Sequence, residues 1–250
     1  MTYHKDYFKD FNLNPEGLLQ EEIDIINDWY ANYTKFDRNI HLFDAEEVEI
    51  YTEHVKFLKE EYENLSFCDD ILLFSADEDS NCAGIMTKGI MRGWIFFFSE
   101  DFWTKPVFRT LKTFYEKVKS EEITDVSAFG IKSPDFQNKH RTASELATDN
   151  KVFDDLLQKI HHTENKHDKN LFIEALITIS PPNRISELTE FLFSEDYWHT
   201  RQILEAFAFY NHQTDHELLY KLGKEKPQFR KQLKEMGIQP QRKFLWWKKW

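Results

Sequence analysis

Several residue clusters in this chain are of types that can carry chemistry. His212 and His216 stand four apart, the spacing that places two imidazoles on one helix face as a metal-binding pair, but no matched third ligand accompanies them. The same spacing also serves a capping or surface role. His161, His162 and His167 fall in a polar stretch between two helical patterns, where solvated side chains are expected. Asp69 and Asp70, or Glu100 and Asp101, are adjacent carboxylates. On a strand such neighbours point to opposite faces, so a loop or cap role fits them better than paired acid–base work.

The acidic turn Asp77, Glu78, Asp79 has two readings: a solvated hairpin loop, or part of one surface with Glu100, Asp101, Phe102 and Trp103. Carboxylates supply charge complementarity to a basic protein cleft that normally holds phosphates, and Trp103 supplies an anchor. Trp94, mid-way along an apolar run, is expected in the core. No GxSxG, Walker-type loop, HExxH or GxGxxG occurs, which argues against several large enzyme classes. The expectation is a non-enzymatic protein with no catalytic residue, no cofactor and no metal.

Whole-chain properties agree with a binding role. The 250 residues carry a formal charge of −12, with 41% apolar residues and 23 Phe, 10 Tyr and 7 Trp. Residues 1–120 have 24 acidic against 13 basic side chains and 121–220 have 18 against 9, whereas 221–250 have 2 against 10. An acidic body repels nucleic acid and attracts basic partners, so a basic protein partner is expected, without direct nucleic-acid binding. No apolar run approaches a membrane span and the first residues contain no secretory h-region, so a soluble cytoplasmic protein is expected. Cys68 and Cys82 sit in no CxxC or zinc spacing and read as reduced, buried thiols. Oligomeric state is not readable from the sequence.

The elements that position these residues centre on 71–118. Apolar runs Ile71–Phe74, Cys82–Met86 and Ile90–Phe98, separated by turn residues, predict consecutive antiparallel strands. From Lys105 the period changes, and Val107, Leu111, Phe114 and Val118 predict one face of a helix. Upstream, Asn14-Pro15-Glu16 starts a helix whose apolar face runs from Leu18 to Tyr33, and 39–43 is a candidate short strand. Asp44 with Glu47 forms a capping-box pair opening an amphipathic helix through Val48, Tyr51, Val55, Leu58, Tyr62 and Leu65. A further strand is expected within Ile123–Ile131.

Residues 151–237 read as helical throughout. An offset of 31 aligns Phe172-Ile173-Glu174-Ala175-Leu176 with Ile203-Leu204-Glu205-Ala206-Phe207. That match predicts either HEAT-like stacked helix pairs or an irregular helical bundle. The fold class expected is therefore α+β: a small antiparallel sheet packed with helices over 1–120, a connecting segment 121–150, a helical repeat-like domain 151–237 and a basic aromatic tail 238–250. The tail's Phe244-Leu245-Trp246-Trp247-Lys248-Lys249-Trp250 calls for a docking surface.

The order of elements over 14–120 resembles the SUKH superfamily of bacterial immunity proteins and eukaryotic cell-wall regulators. The features that carry the resemblance are a helix ending near Trp29-Tyr30-Ala31-Asn32, then Ile40 to Glu47 entering the next helix. The run Asp70 to Asp77, the Gly93-Trp94-Ile95-Phe96-Phe97 strand and the helix closing at Val118 complete it. The family's Asn-Gly after the first helix is replaced here by Asn32-Tyr33. The resemblance implies binding and neutralisation of a toxin, often a nuclease. The runner-up is a scaffold or regulatory protein that binds partners through its helical half, and a third reading is a histidine-dependent metallohydrolase.

Overall fold

The computed structural model describes residues 6–32, 40–61, 69–77, 81–99, 104–120, 122–123, 133–213 and 215–236. Two compact units divide the chain at Ile179/Ser180. The first is α+β, as its sequence predicts. Its helices are α1 (Tyr7–Asp10), α2 (Gln20–Asn32), α3 (Ala45–Glu61), α4 (Leu111–Lys119), α5 (Ala143–His162) and α6 (Lys166–Ile179). Its strands are β1 (His41–Leu42), β2 (Ile71–Ala76), β3 (Cys82–Met86), β4 (Ile95–Phe98) and β5 (Thr104–Phe108), paired antiparallel in sequence order as one meander. Helix α3 lies between β1 and β2, but β2 to β5 follow one another without a crossover helix, which is why short apolar runs between turn residues suffice to specify them.

One core layer lies between the sheet and the helices α1, α2 and α4. Ile26 and Trp29 of α2 and Leu111, Phe114 and Val118 of α4 are buried with Phe74, Ala83, Ile85, Ile95, Phe97 and Val107 of the strands. Trp29 meets Phe74 and Phe114 at centroid distances of 6.3 and 5.9 Å. Each fully buried aliphatic or aromatic side chain contributes about 1.5–3 kcal/mol, so this layer is a substantial part of the hydrophobic stabilisation of the unit. Tyr115, beside Trp29, donates its hydroxyl to Asp28 at 2.6 Å, and burial together with that carboxylate raises the phenol's pKa.

The strand-to-helix hand-over differs from expectation. Lys105 and Val107 belong to β5, and α4 starts only at Leu111, where Thr110 Oγ1 accepts the amide of Thr113. Val107 shares the helical spacing but lies in the strand, and the helix opens only where Thr110 caps it. The third apolar run likewise splits: Ile90–Trp94 is a turn and only Ile95–Phe98 is strand. Gly89 and Gly93, with φ of +74° and +85°, provide the left-handed backbone that the turn demands. Asp44 accepts the amides of Glu46 and Glu47, and Glu47 returns a bond to the amide of Asp44, completing the expected capping box of α3. Of the 39–43 stretch, His41–Leu42 is strand; most of the strand expected at 123–131 falls outside the described residues.

The unit boundary lies beyond the expected connecting segment, because α5 and α6 belong to the first unit. Asp149 of α5, fully buried, accepts both terminal nitrogens of Arg109 at 2.6 and 2.7 Å and Arg141 Nη1 at 2.6 Å. Arg141 also donates to the carbonyls of Phe136 and Ile179, and Arg109 lies over the Phe136 ring at 4.5 Å. This network joins the end of β5 to both helices.

Part of the outer edge of β5 is engaged. The Thr104 amide donates to Glu174 of α6 at 3.4 Å, Pro106 has no N–H, and the Val107 carbonyl accepts the amide of Asp135 at 3.4 Å.

The second unit contains a 3-10 helix (Pro182–Phe191), α7 (Tyr197–Phe209), α8 (His216–Glu225), a 3-10 turn (Pro227–Phe229) and α9 (Arg230–Glu235). Ile185, Leu188, Ile203, Leu204, Phe207, Leu219, Leu222, Phe229 and Leu233 are buried. The two stretches aligned at an offset of 31 fall in α6 of the first unit and α7 of the second, so the HEAT-like repeat remains an expectation.

Candidate functional site

The strand register brings the two acidic connections together. Ala76 pairs with Cys82, Cys82 with Phe98, and Phe98 with Thr104, so the β2–β3 and β4–β5 connections open from the same end of the sheet. His41, paired with Ala76, brings the start of β1 to this end as well. Of the expected surface residues, Glu78, Asp79, Glu100, Asp101, Phe102 and Trp103 lie outside the described residues, and only Asp77 is placed.

Asp77 is not a surface contact. It is 5% exposed and folded into the turn: one carboxylate oxygen accepts the Asn81 amide at 2.9 Å, both oxygens lie 3.2 Å from Asn81 Nδ2, and its own N–H donates to the Asn81 carbonyl at 2.9 Å. An Asp that satisfies its own turn's amides replaces water with backbone donors, which is the usual reason this residue starts a tight connection. The expectation that Asp77 faces a partner is therefore corrected; its task is to hold the connection in shape.

A thiol, an imidazole and a carboxylate also collect at this end. His41 Nε2 is paired with Glu47 Oε1, both part-buried. Cys82 is buried, and desolvation pushes its thiol from 9.0 to about 12, with the Tyr51 hydroxyl bonded to it and the charges of Asp77 and Glu47 acting nearby. A nucleophilic cysteine needs an electropositive setting that stabilises the thiolate. Here burial and carboxylates do the opposite, so the cluster holds a protonated thiol and a His–Glu pair tied to the α3 cap. Cys68 lies outside the described residues.

The remaining sequence candidates are dispersed. His212 follows α7 and packs on the Phe207 ring at 5.0 Å, while His216 is the first residue of α8, so no shared helix face presents them. Among the described residues, no group of three or more His, Cys, Asp or Glu side chains has metal-binding geometry. His161 and His162 are exposed at the end of α5, and His167 is exposed in the first turn of α6. The carbonyl of Asp70 accepts the amide and hydroxyl of Thr87 at 2.7 and 2.9 Å, a loop fastening. Trp94 is buried against Phe136 at 4.8 Å, as core.

One polar cluster went unread in the sequence. In the second unit, His199 Nδ1 lies 3.2 Å from Ser194 Oγ, and Lys226 Nζ donates to the Ser194 carbonyl and to Thr200 Oγ1 at 3.0 Å. Burial lowers the Lys226 pKa. Ser194 Oγ also accepts the Asp196 amide at 3.2 Å, so the group fastens the turn that leads into α7. Its members are 32 residues apart at most, with no local motif linking them.

No family model, curated protein or solved structure matches this chain. Among the described residues, no helix is long and apolar enough to cross a membrane.

Proposed function

We propose that the protein is a non-enzymatic immunity protein of SUKH type, which binds a basic toxin domain, such as a nuclease, through the sheet end from which the β2–β3 and β4–β5 connections open. The observation that carries the reading is the Cys82–Phe98 pairing, which directs both acid-bearing connections to one end of the sheet. Support also comes from the net charge of −12. In this reading Asp77 and Asn81 shape the connection, Glu78, Asp79, Glu100 and Asp101 supply the charge, and Phe102 and Trp103 supply the apolar anchor.

The test is co-expression with the toxins encoded beside this gene, followed by binding of the purified pair. Rescue of growth is expected. Reversing Glu78, Asp79, Glu100 and Asp101 to Lys slows association by at least roughly tenfold at low salt and flattens its salt dependence. Absence of rescue with every neighbouring toxin, or association unchanged by the four reversals, would overturn the reading.

A further inference from the structure

Tyr197 and Trp198 open α7 with their rings in edge contact at 5.4 Å, yet they are 42% and 53% exposed. A single exposed aromatic is ordinary, but two in contact form an apolar patch. The patch rests on a rigid base: Tyr197 stacks on buried Phe229 at 4.9 Å with a 15° interplanar angle, and the Arg201 guanidinium sits 5.2 Å over the Trp198 ring while paired to Glu205.

The same place is where α9 comes alongside. Gln232 Nε2 donates to the Arg201 carbonyl at 3.4 Å, and the described chain ends at Met236, one turn of helix later. The sequence continues as Gly237-Ile238-Gln239-Pro240-Gln241-Arg242-Lys243 and then Phe244 to Trp250, with three Trp and no acidic residue. From Met236 to Phe244 an extended chain reaches about 26 Å, more than the width of two packed helices, so the aromatic segment can return to the patch without strain.

We propose that Phe244–Trp250 of the same molecule docks on Tyr197 and Trp198. The three Trp rings of the segment match the exposed aromatic pair in kind, and the positive charge of Lys248 and Lys249 complements the acidic Glu195 and Asp196 that immediately precede it. Arg201 does not oppose this approach, because Glu205 balances its charge. The inference is independent of the sheet-end binding reading. It gives the helical unit an intramolecular occupant for the surface that a partner peptide would otherwise use.

Limited trypsinolysis of the full chain tests it, because the segment contains cleavage sites at Lys248 and Lys249 and is directly preceded by Arg242 and Lys243. Mass spectrometry follows cleavage there and, as an internal control, at exposed Lys139 of the first unit. In the native chain these four sites are cut roughly tenfold more slowly than in Trp198→Ala, with Lys139 cut equally in both. The double variant Trp246→Ala/Trp247→Ala leaves α7 untouched and gives the same acceleration, which keeps the test decisive if Trp198→Ala perturbs folding. The protection is constant over roughly a hundredfold range of protein concentration. Equal cleavage in native chain and double variant, or protection that grows with concentration and so marks docking on a second copy, would overturn the proposal.

Discussion

The Asp149 carboxylate receives Arg109 through both of its terminal nitrogens while a second guanidinium, that of Arg141, donates to the same carboxylate. Asp149 and Arg141 are buried, and Arg109 nearly so. Removing the shared acceptor deprives buried Arg141 of the Asp149 carboxylate and leaves Arg109 with the longer pairing to Glu145 at 3.7 Å. Asp149→Ala is therefore expected to cost about 3–5 kcal/mol in urea unfolding of the full chain. Hydrogen exchange should rise first in α5 and around 133–141. A loss under about 1 kcal/mol would mean that the network is incidental to the fold.

Asp77 has the opposite profile from a contact residue. Asp77→Ala removes the acceptor of the Asn81 amide and side chain, and a loss of about 1–2 kcal/mol is expected. Asp77→Asn retains a carbonyl acceptor and should recover part of it. Thermal unfolding measures both. Partner association should respond to Asp77→Asn far less than to reversal of Glu78 and Asp79.

Cys82 sets an alkaline dependence. Its proton is held more tightly in the folded chain than in the unfolded one, because burial penalises the thiolate. That contribution is fully present below pH 9 and is lost as pH rises toward about 12. Stability should fall by about 1.4 kcal/mol per pH unit from this group across that window. Cys82→Ala, compared with the native chain at each pH, should remove that slope while leaving the tyrosine contribution. In a Cys68→Ser background, native Cys82 should remain unmodified by a thiol reagent at pH 8; rapid modification would show that the thiol is accessible.

Gly17 and Gly89 separate steric clash from backbone strain. Both have positive φ, +87° and +74°, but a Cβ at Gly17 would lie 2.7 Å from the Thr87 carbonyl oxygen whereas one at Gly89 meets nothing within 4 Å. Gly89→Ala should cost about 1 kcal/mol from conformation alone. Gly17→Ala should cost clearly more, since the obstacle is backbone and the segment is also tied by Arg92 donating to the Gly17 carbonyl at 2.9 Å. Equal midpoints for the two variants in chemical denaturation would count against the close packing at Gly17.

The sheet was legible wherever apolar runs ended in residues that make turns: Ile71–Phe74 and Cys82–Met86 are strands, and Asp44 with Glu47 marks the start of α3. Val107 misled because the spacing to Leu111, Phe114 and Val118 is helical, although it lies in β5 and Thr110 caps the helix that follows. Nothing local reveals that α5 and α6 belong with the sheet. Their attachment depends on Arg109 meeting Asp149 across 40 residues and Thr104 meeting Glu174 across 70, pairings without any periodic trace. The same holds for Asp77: its type announced a turn, but whether the carboxylate turns outward or folds back on Asn81 is decided by two amides at close range.

The partly occupied margin of β5 bears on how this protein can be recognised. Many binding proteins capture an extended peptide by letting it continue their sheet, which requires a row of vacant amides and carbonyls. On β5 the Thr104 amide is taken by Glu174, Pro106 contributes none, and the Val107 carbonyl is occupied by Asp135. At the other margin, among the described residues, β1 is two residues long. Strand addition at these positions of β5, and with it ribbon-like self-association there, is disfavoured.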